Sequence, residues 1–286
     1  MPELQIELER ETEGRSVPWA LEDLPPFPMV AKRLMATLSR EDVDISEVGK
    51  LIAAEPVFAS RVLQLANSPL FALVRQVRTI SHAIVLLGLD RVKAITFTRA
   101  MEDFVTPALS VQALRICWQN SLAGAILAEK LARAARMDAD FAYVAGLLRD
   151  IGRLALLVKY PGPYANLLAV SGEEHYDLMM TERELFDIDH CEAGGWLMQE
   201  LHFPADLAEV ITNHHHDLNR DGFRMVHLVQ CADRLADALG FGVLMDAPLP
   251  GIEKTLELLP ESARSRLDDN YDQWKSEIAA KVRAWQ

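Results

Sequence analysis

Along most of this chain the apolar side chains recur at intervals of three and four rather than two, and no alternating apolar and polar run is long enough to make a strand. A chain patterned this way can bury its apolar faces only by packing helix on helix, so the expected fold class is all-α. The clearest stretch is the last. After Pro260, the residues Ala263, Leu267, Tyr271, Trp274, Ile278, Val282 and Trp285 recur at intervals of 4, 4, 3, 4, 4 and 3. That spacing predicts one helix through Gln286, about 39 Å long at 1.5 Å per residue. Its stripe packs on the chain's own body or, in a homodimer through residues 261–286, on a second copy.

Start and stop signals divide the rest. Asp44 and Glu47 form a capping pattern before Val48, Leu51 and Ile52, and Pro56 suits the first turn of the next helix, which runs to the turn signal at Asn67-Ser68-Pro69. Thr79 opens a helix that Gly88 caps, and another runs from Asp90 to about Phe104. A long helix is expected from Val111 to Met137, then one from Ala139 behind the Asp138 cap to Tyr160, ended by Pro161-Gly162-Pro163. Shorter helices follow at 181–187, 190–201 behind Asp189, 204–216 and 223–239. The layout expected is an acidic segment over 1–20, a helical body over 21–218 with halves 21–108 and 109–218, and a helical extension over 219–286. Pro248, Pro250 and Gly251 make the hinge before the final helix.

Half of the 286 residues are apolar and a quarter are charged, enough for a substantial core. No segment approaches the ~20 continuous apolar residues of a membrane span, and the N-terminus is acidic where a targeting peptide would be basic. The expectation is a cytoplasmic protein with no membrane contact. Cys117, Cys191 and Cys231 are far apart and form no CxxC pair, so neither a disulfide framework nor a thiolate zinc site is expected. The net charge of −13 argues against nucleic acid as a partner. The charge is uneven: residues 57–101 hold six bases against one acid, so Arg75, Arg78, Arg91 and Lys93 make the only candidate face for an anion or a partner.

Phosphohydrolysis with a divalent metal needs His and Asp side chains converging on one ion. Seven of the eight histidines follow residue 170, namely His175, His190, His202, His214, His215, His216 and His227. There is no GxSxG elbow, P-loop or GxGxxG, and no cysteine stands in a context that marks a nucleophile.

The string Gly146-Leu-Leu-Arg-Asp-Ile-Gly152 resembles the signature helix of HD-superfamily phosphohydrolases with Arg149 in place of the doublet histidine. Leu24-Pro-Pro-Phe-Pro28, then Leu63-Gln-Leu-Ala-Asn-Ser-Pro-Leu-Phe71, then Ile80-Ser-His-Ala-Ile-Val-Leu-Leu-Gly-Leu-Asp-Arg91, in that order, resemble the HDOD domain, the HD-related output domain of bacterial signalling proteins. The resemblance covers about residues 20–218. It implies a multi-helical fold, an N-terminal helical half packed on a degenerate HD-like half, with a regulatory role more often than an enzymatic one.

Carried over residue by residue, the resemblance implies a broken metal site. Asn120 stands at one ligand histidine and Arg149 at another; Asp150 is retained, and His190, His214 or His215, and Asp233 match the remaining positions more loosely. An amide oxygen is a weak ligand and a guanidinium cannot lose its proton to become one. No catalytic residue and no cofactor are therefore expected. The alternative is a divalent metal held by Asp150, His190, His214 or His215, and Asp233 in a phosphohydrolase or phosphodiesterase. The regulatory reading implies signalling partners: a sensor kinase, a receiver or a cyclic-nucleotide enzyme.

Overall fold

The computed structural model describes residues 17–28, 33, 45–68, 76–216, 222–244 and 251–284. Asp44, Arg75, Pro248, Pro250 and Trp285, the 69–71 end of one motif string and nearly all of the acidic 1–20 segment lie outside the described residues. Among the described residues there is no strand, and no helix is long and apolar enough to cross a membrane. The all-α expectation holds.

After a 3-10 turn at Trp19–Leu21, the described residues give the helices α1 (Ile45–Ala53), α2 (Pro56–Ala66), α3 (Ile80–Leu87) and α4 (Leu89–Val105). Pro56 opens α2, and the Thr79 hydroxyl accepts from the His82 amide at 3.1 Å to cap α3. Gly88 joins α3 to α4 at φ 89°, a left-handed conformation that excludes most side chains. Then come α5 (Gln112–Ala135), α6 (Ala139–Leu148), α7 (Ile151–Lys159), α8 (Pro161–Glu174), α9 (Leu178–Phe186), α10 (His190–Glu200) and α11 (Ala205–Asn213). The chain closes with α12 (Met225–Ala236), a π-helical turn over Asp237–Phe241, and α13 (Ile252–Leu256), α14 (Glu261–Arg264) and α15 (Tyr271–Ala284).

Helix α5 is the axis. Sixteen of its 24 residues are buried, so it is enclosed on nearly every side. It packs most extensively on α6 and α12, and also touches α7, α8, α14 and α15. Small residues permit this: a Cβ on Gly146 of α6 would stand 2.8 Å from the Gly124 carbonyl oxygen of α5. Likewise α10 lies against α11 because side chains on Gly194 and Gly195 would meet Ile211 and Thr212 at 2.6 Å.

Three expectations are corrected. The helix expected over 139–160 is two, broken at Arg149-Asp150, where Asp150 takes φ −100°, ψ 23°. The reason is crowding beyond the break: a Cβ on Gly152 would lie 2.1 Å from the His190 carbonyl oxygen, so α7 must start on a new axis to meet α10. Pro161-Gly162-Pro163 opens α8 rather than simply ending a helix, since Pro161 fits a first turn that needs no N–H. The last helix is likewise interrupted, between Arg264 and Tyr271. Its stripe still faces one way, with Ala263, Trp274, Ile278 and Val282 all buried, and α14 and α15 pack on α5 of the same chain.

Candidate functional site

Asp150 lies at the centre of the structure. It is the N-cap residue of α7, but its carboxylate caps nothing and points inward. Its Oδ1 stands 2.9 Å from Arg153 Nη1, 3.5 Å from His214 Nε2 and 3.7 Å from His190 Nε2, while its Oδ2 stands 3.3 Å from Arg149 Nε. Burial pushes this carboxyl up, but the Arg153 and Arg149 guanidiniums outweigh burial and hold it well below the usual carboxylate range.

Arg149, in the break between α6 and α7, is completely buried. Its Nε donates to Asp233 Oδ1 at 2.8 Å, its Nη1 to the Gly146 carbonyl at 2.7 Å, and its Nη2 to the carbonyl and side-chain oxygens of Asn120. Asn120 is fixed in turn by donating from Nδ2 to the Phe241 carbonyl at 2.9 Å. The guanidinium fits because residue 124 is glycine: a Cβ there would stand 2.1 Å from Nη1 and 2.6 Å from Cζ. Asn120 and Arg149, the two positions where the sequence expectation puts lost ligand histidines, are thus bonded to each other.

The histidines close the other side. His190, first residue of α10, is oriented from behind: its backbone N–H donates to Glu182 Oε2 at 2.8 Å and its Nδ1 lies 2.6 Å from the same oxygen. With Nδ1–H donating to Glu182, Nε2 carries the lone pair and accepts from Arg153 Nη2 at 3.0 Å. The Tyr164 hydroxyl donates to the other Glu182 oxygen. His214 points Nδ1 at the Ile211 carbonyl, 2.8 Å away, and turns Nε2 to Asp150. Burial lowers His214, yet the Asp150 carboxylate and the Cys191 sulfur together more than offset it and lift the imidazole to about 10. His215 reaches solvent at the mouth, its ring 4.3 Å from that of His214 and 5.0 Å from that of His190. Desolvation in that crowded corner, then the charges of His214 and Arg153, push His215 well below its ordinary value.

Ligand atoms of Asp150, His190, His214 and His215 all lie within 4.8 Å of one another, close enough for one divalent ion. Asp233 is not in that set, because Arg149 stands between it and Asp150. The candidate basic face does not come together as a surface. Arg91 is bound to Glu129 through contacts of 2.6 and 3.3 Å, Lys93 is buried, Arg78 is exposed, and Arg75 lies outside the described residues.

Sequence reasoning missed Arg153, Glu182 and Tyr164. Arg153 had a signal, since three residues after Asp150 on a helix it had to share a face with it. Glu182 had none, because its partner comes from another helix.

The HDOD domain family model matches residues 24–217. A Treponema pallidum protein of unassigned function is 22% identical over 214 residues, 73% of this chain and 41% of that one, so the chain spans less than half of that relative's length. Among solved structures, an HDOD domain protein of unknown function from Geobacter sulfurreducens superposes with TM-score 0.71 at 24% identity, covering 100% of this chain and 97% of that one. A candidate signal transduction protein from Marinobacter aquaeolei gives 0.73 at 22% identity over 99% and 65%, and a candidate phosphohydrolase from Shewanella amazonensis gives 0.69 at 22% over 93% and 94%. At these identities the solved structures share the fold, and the family match says more: this chain belongs to the HDOD domain family.

Proposed function

We propose that this chain is a non-catalytic regulatory module of bacterial signal transduction, an output or scaffold domain that relays a state by contact with other proteins. Its partners on this reading are a sensor kinase, a receiver or a cyclic-nucleotide enzyme. One observation carries the proposal: Asp150, the retained half of the doublet, already faces two buried guanidiniums, Arg149 Nε at 3.3 Å and Arg153 Nη1 at 2.9 Å. A divalent ion at this point would be repelled by both and would compete with Arg153 for the lone pair of His190. As it stands, the donor set does not fit a metal. The name of the Marinobacter aquaeolei neighbour, a candidate signal transduction protein, is in keeping with this reading.

A second reading has its own support. The Asp150 oxygens and His214 Nε2 are buried without a well-formed hydrogen bond, and four donor atoms converge there. Such a set is also what a metal-dependent phosphohydrolase would keep, and the Shewanella amazonensis neighbour is named as a candidate phosphohydrolase.

Metal analysis of untagged protein purified without chelator separates the two. The regulatory reading expects far less than one equivalent of iron, manganese, nickel or zinc in folded wild type, and no nucleotide or cyclic-dinucleotide hydrolysis with any of them added. A stoichiometric metal that disappears in Asp150→Asn, with hydrolysis that disappears alongside it, would overturn that reading in favour of the hydrolase.

A further inference from the structure

A groove of about 450 Å³ runs between the 17–28 segment and α10. Its floor is apolar, made by Leu24, Phe27, Phe104, Ile151, Trp196 and Leu201. One wall is fastened to the body: Trp19 Nε1 donates to Asp187 Oδ2 at 2.8 Å, its ring packs on Tyr160 and Phe186, and Lys159 Nζ donates to the carbonyls of Trp19 and Glu22. The other wall is α10, which carries His190 at its first turn, and Ile151 in the floor follows Asp150 directly.

The rim has a single sign. Glu22, Asp23 and Glu200 line the groove, and among the described residues none of them has a cation within ion-pair distance. The amine of Lys159, beside this wall, is engaged by backbone carbonyls. Some exposed carboxylates elsewhere do have partners, as Glu209 has Arg224, Glu192 has Arg183 and Asp268 has Lys130. An apolar floor under three carboxylates that have no cation partner among the described residues complements a segment that has apolar anchors on one face and Lys or Arg beside them.

We infer that this groove is the docking site of a basic amphipathic segment of a partner protein. The inference rests on the regulatory reading and adds to it a surface and a partner chemistry. A segment seated there lies on Trp196 of α10, the helix whose first residue, His190, belongs to the buried cluster.

The test uses a helical peptide of about 14 residues, roughly four turns, with Leu and Trp on one face and Lys on the other, and a counterpart with Glu for Lys. Binding to the full chain is followed by fluorescence anisotropy at roughly 0.15 M salt, where weak long-range attraction is screened. The expected result is that the Lys peptide binds wild type and the Glu peptide does not. Glu22→Lys with Glu200→Lys should weaken the Lys peptide by about tenfold or more, while Glu173→Lys with Glu174→Lys, an equal charge change on the exposed end of α8, leaves it unchanged. All four positions are exposed, and circular dichroism verifies that both variants fold.

Equal weakening by both variants would reduce the effect to general attraction toward an acidic chain and overturn the inference. So would the absence of binding to wild type, or a change of oligomeric state on rim reversal, which would place a second copy in the groove. None of these outcomes bears on the metal analysis, so the groove can fail while the regulatory reading stands.

Discussion

At the residue scale the decisive pair is Gly124 and Arg149. A guanidinium is tolerated at full burial only when its charge and its N–H groups are met, and here Asp233, Asp150, Asn120 and the Gly146 carbonyl meet them. The space comes from Gly124. Gly124→Ala should therefore cost about 1–3 kcal/mol in urea unfolding of otherwise wild-type protein, because the guanidinium has to leave its bonds to avoid the new methyl. In an Arg149→Met background, itself destabilised by roughly 3–5 kcal/mol for the carboxylates it strands, the same Ala should cost close to nothing. Equal costs in the two backgrounds would show that the methyl clashes with something other than Arg149. Of this centre the sequence disclosed Asn120, Arg149 and Asp150 by position in a motif, and it disclosed that no metal ligand could stand at Arg149. It did not disclose that Arg149 and Asn120 bond each other, since they are 29 residues apart, one in the break after α6 and the other on α5.

Periodicity located elements better than it located breaks. The stretch from Ala139 to Tyr160 keeps a helical rhythm across Arg149-Asp150, and only the close approach of Gly152 to α10, invisible in one dimension, forces the chain to restart. In the last segment the missed break did have a signal. Asp268 and Asn270 are short polar residues that bond backbone and neighbours locally: Asn270 Oδ1 accepts from the Gln273 amide at 3.1 Å, and Trp274 Nε1 donates to Asp268 Oδ1 at 2.7 Å. The direction of the stripe was legible, as the burial of Trp274, Ile278 and Val282 shows. Trp274, with Lys130 of α5 lying 4.2 Å over its ring, fastens α15 to the axis. Trp274→Ala should cost about 3–5 kcal/mol in denaturant unfolding, and a cost below 1 kcal/mol would mean that α15 contributes little to the global transition.

Across the molecule, α4 is tied to the axis by an ion cluster. Glu129 of α5 accepts from Arg91 of α4 and from Arg133 one turn along its own helix, at 2.6 and 2.8 Å. Burial pushes the Glu129 carboxyl up, but those two bonds outweigh it and hold it below the usual value. The folded pKa therefore lies below the unfolded one. Between them the unfolded chain binds the additional proton, so this stabilisation is in full force above the ordinary glutamate range and is lost as pH falls through the folded value. Arg91→Met should lower stability at pH 7 and flatten the acid side of the stability profile below about pH 4.5. An acid limb unchanged from wild type would place its titration elsewhere.

On the regulatory reading, Arg149 and Arg153 also change what kind of thing the centre of this fold is. An ion is held by an equilibrium and can be withdrawn by a chelator or by scarcity, so a fold built around one inherits the metal economy of its cell. A guanidinium attached to the chain has no dissociation constant: it is at its post in every folded molecule, at any composition of the surroundings. What is given up is reversibility, because a centre that can never be emptied can never report that it is empty.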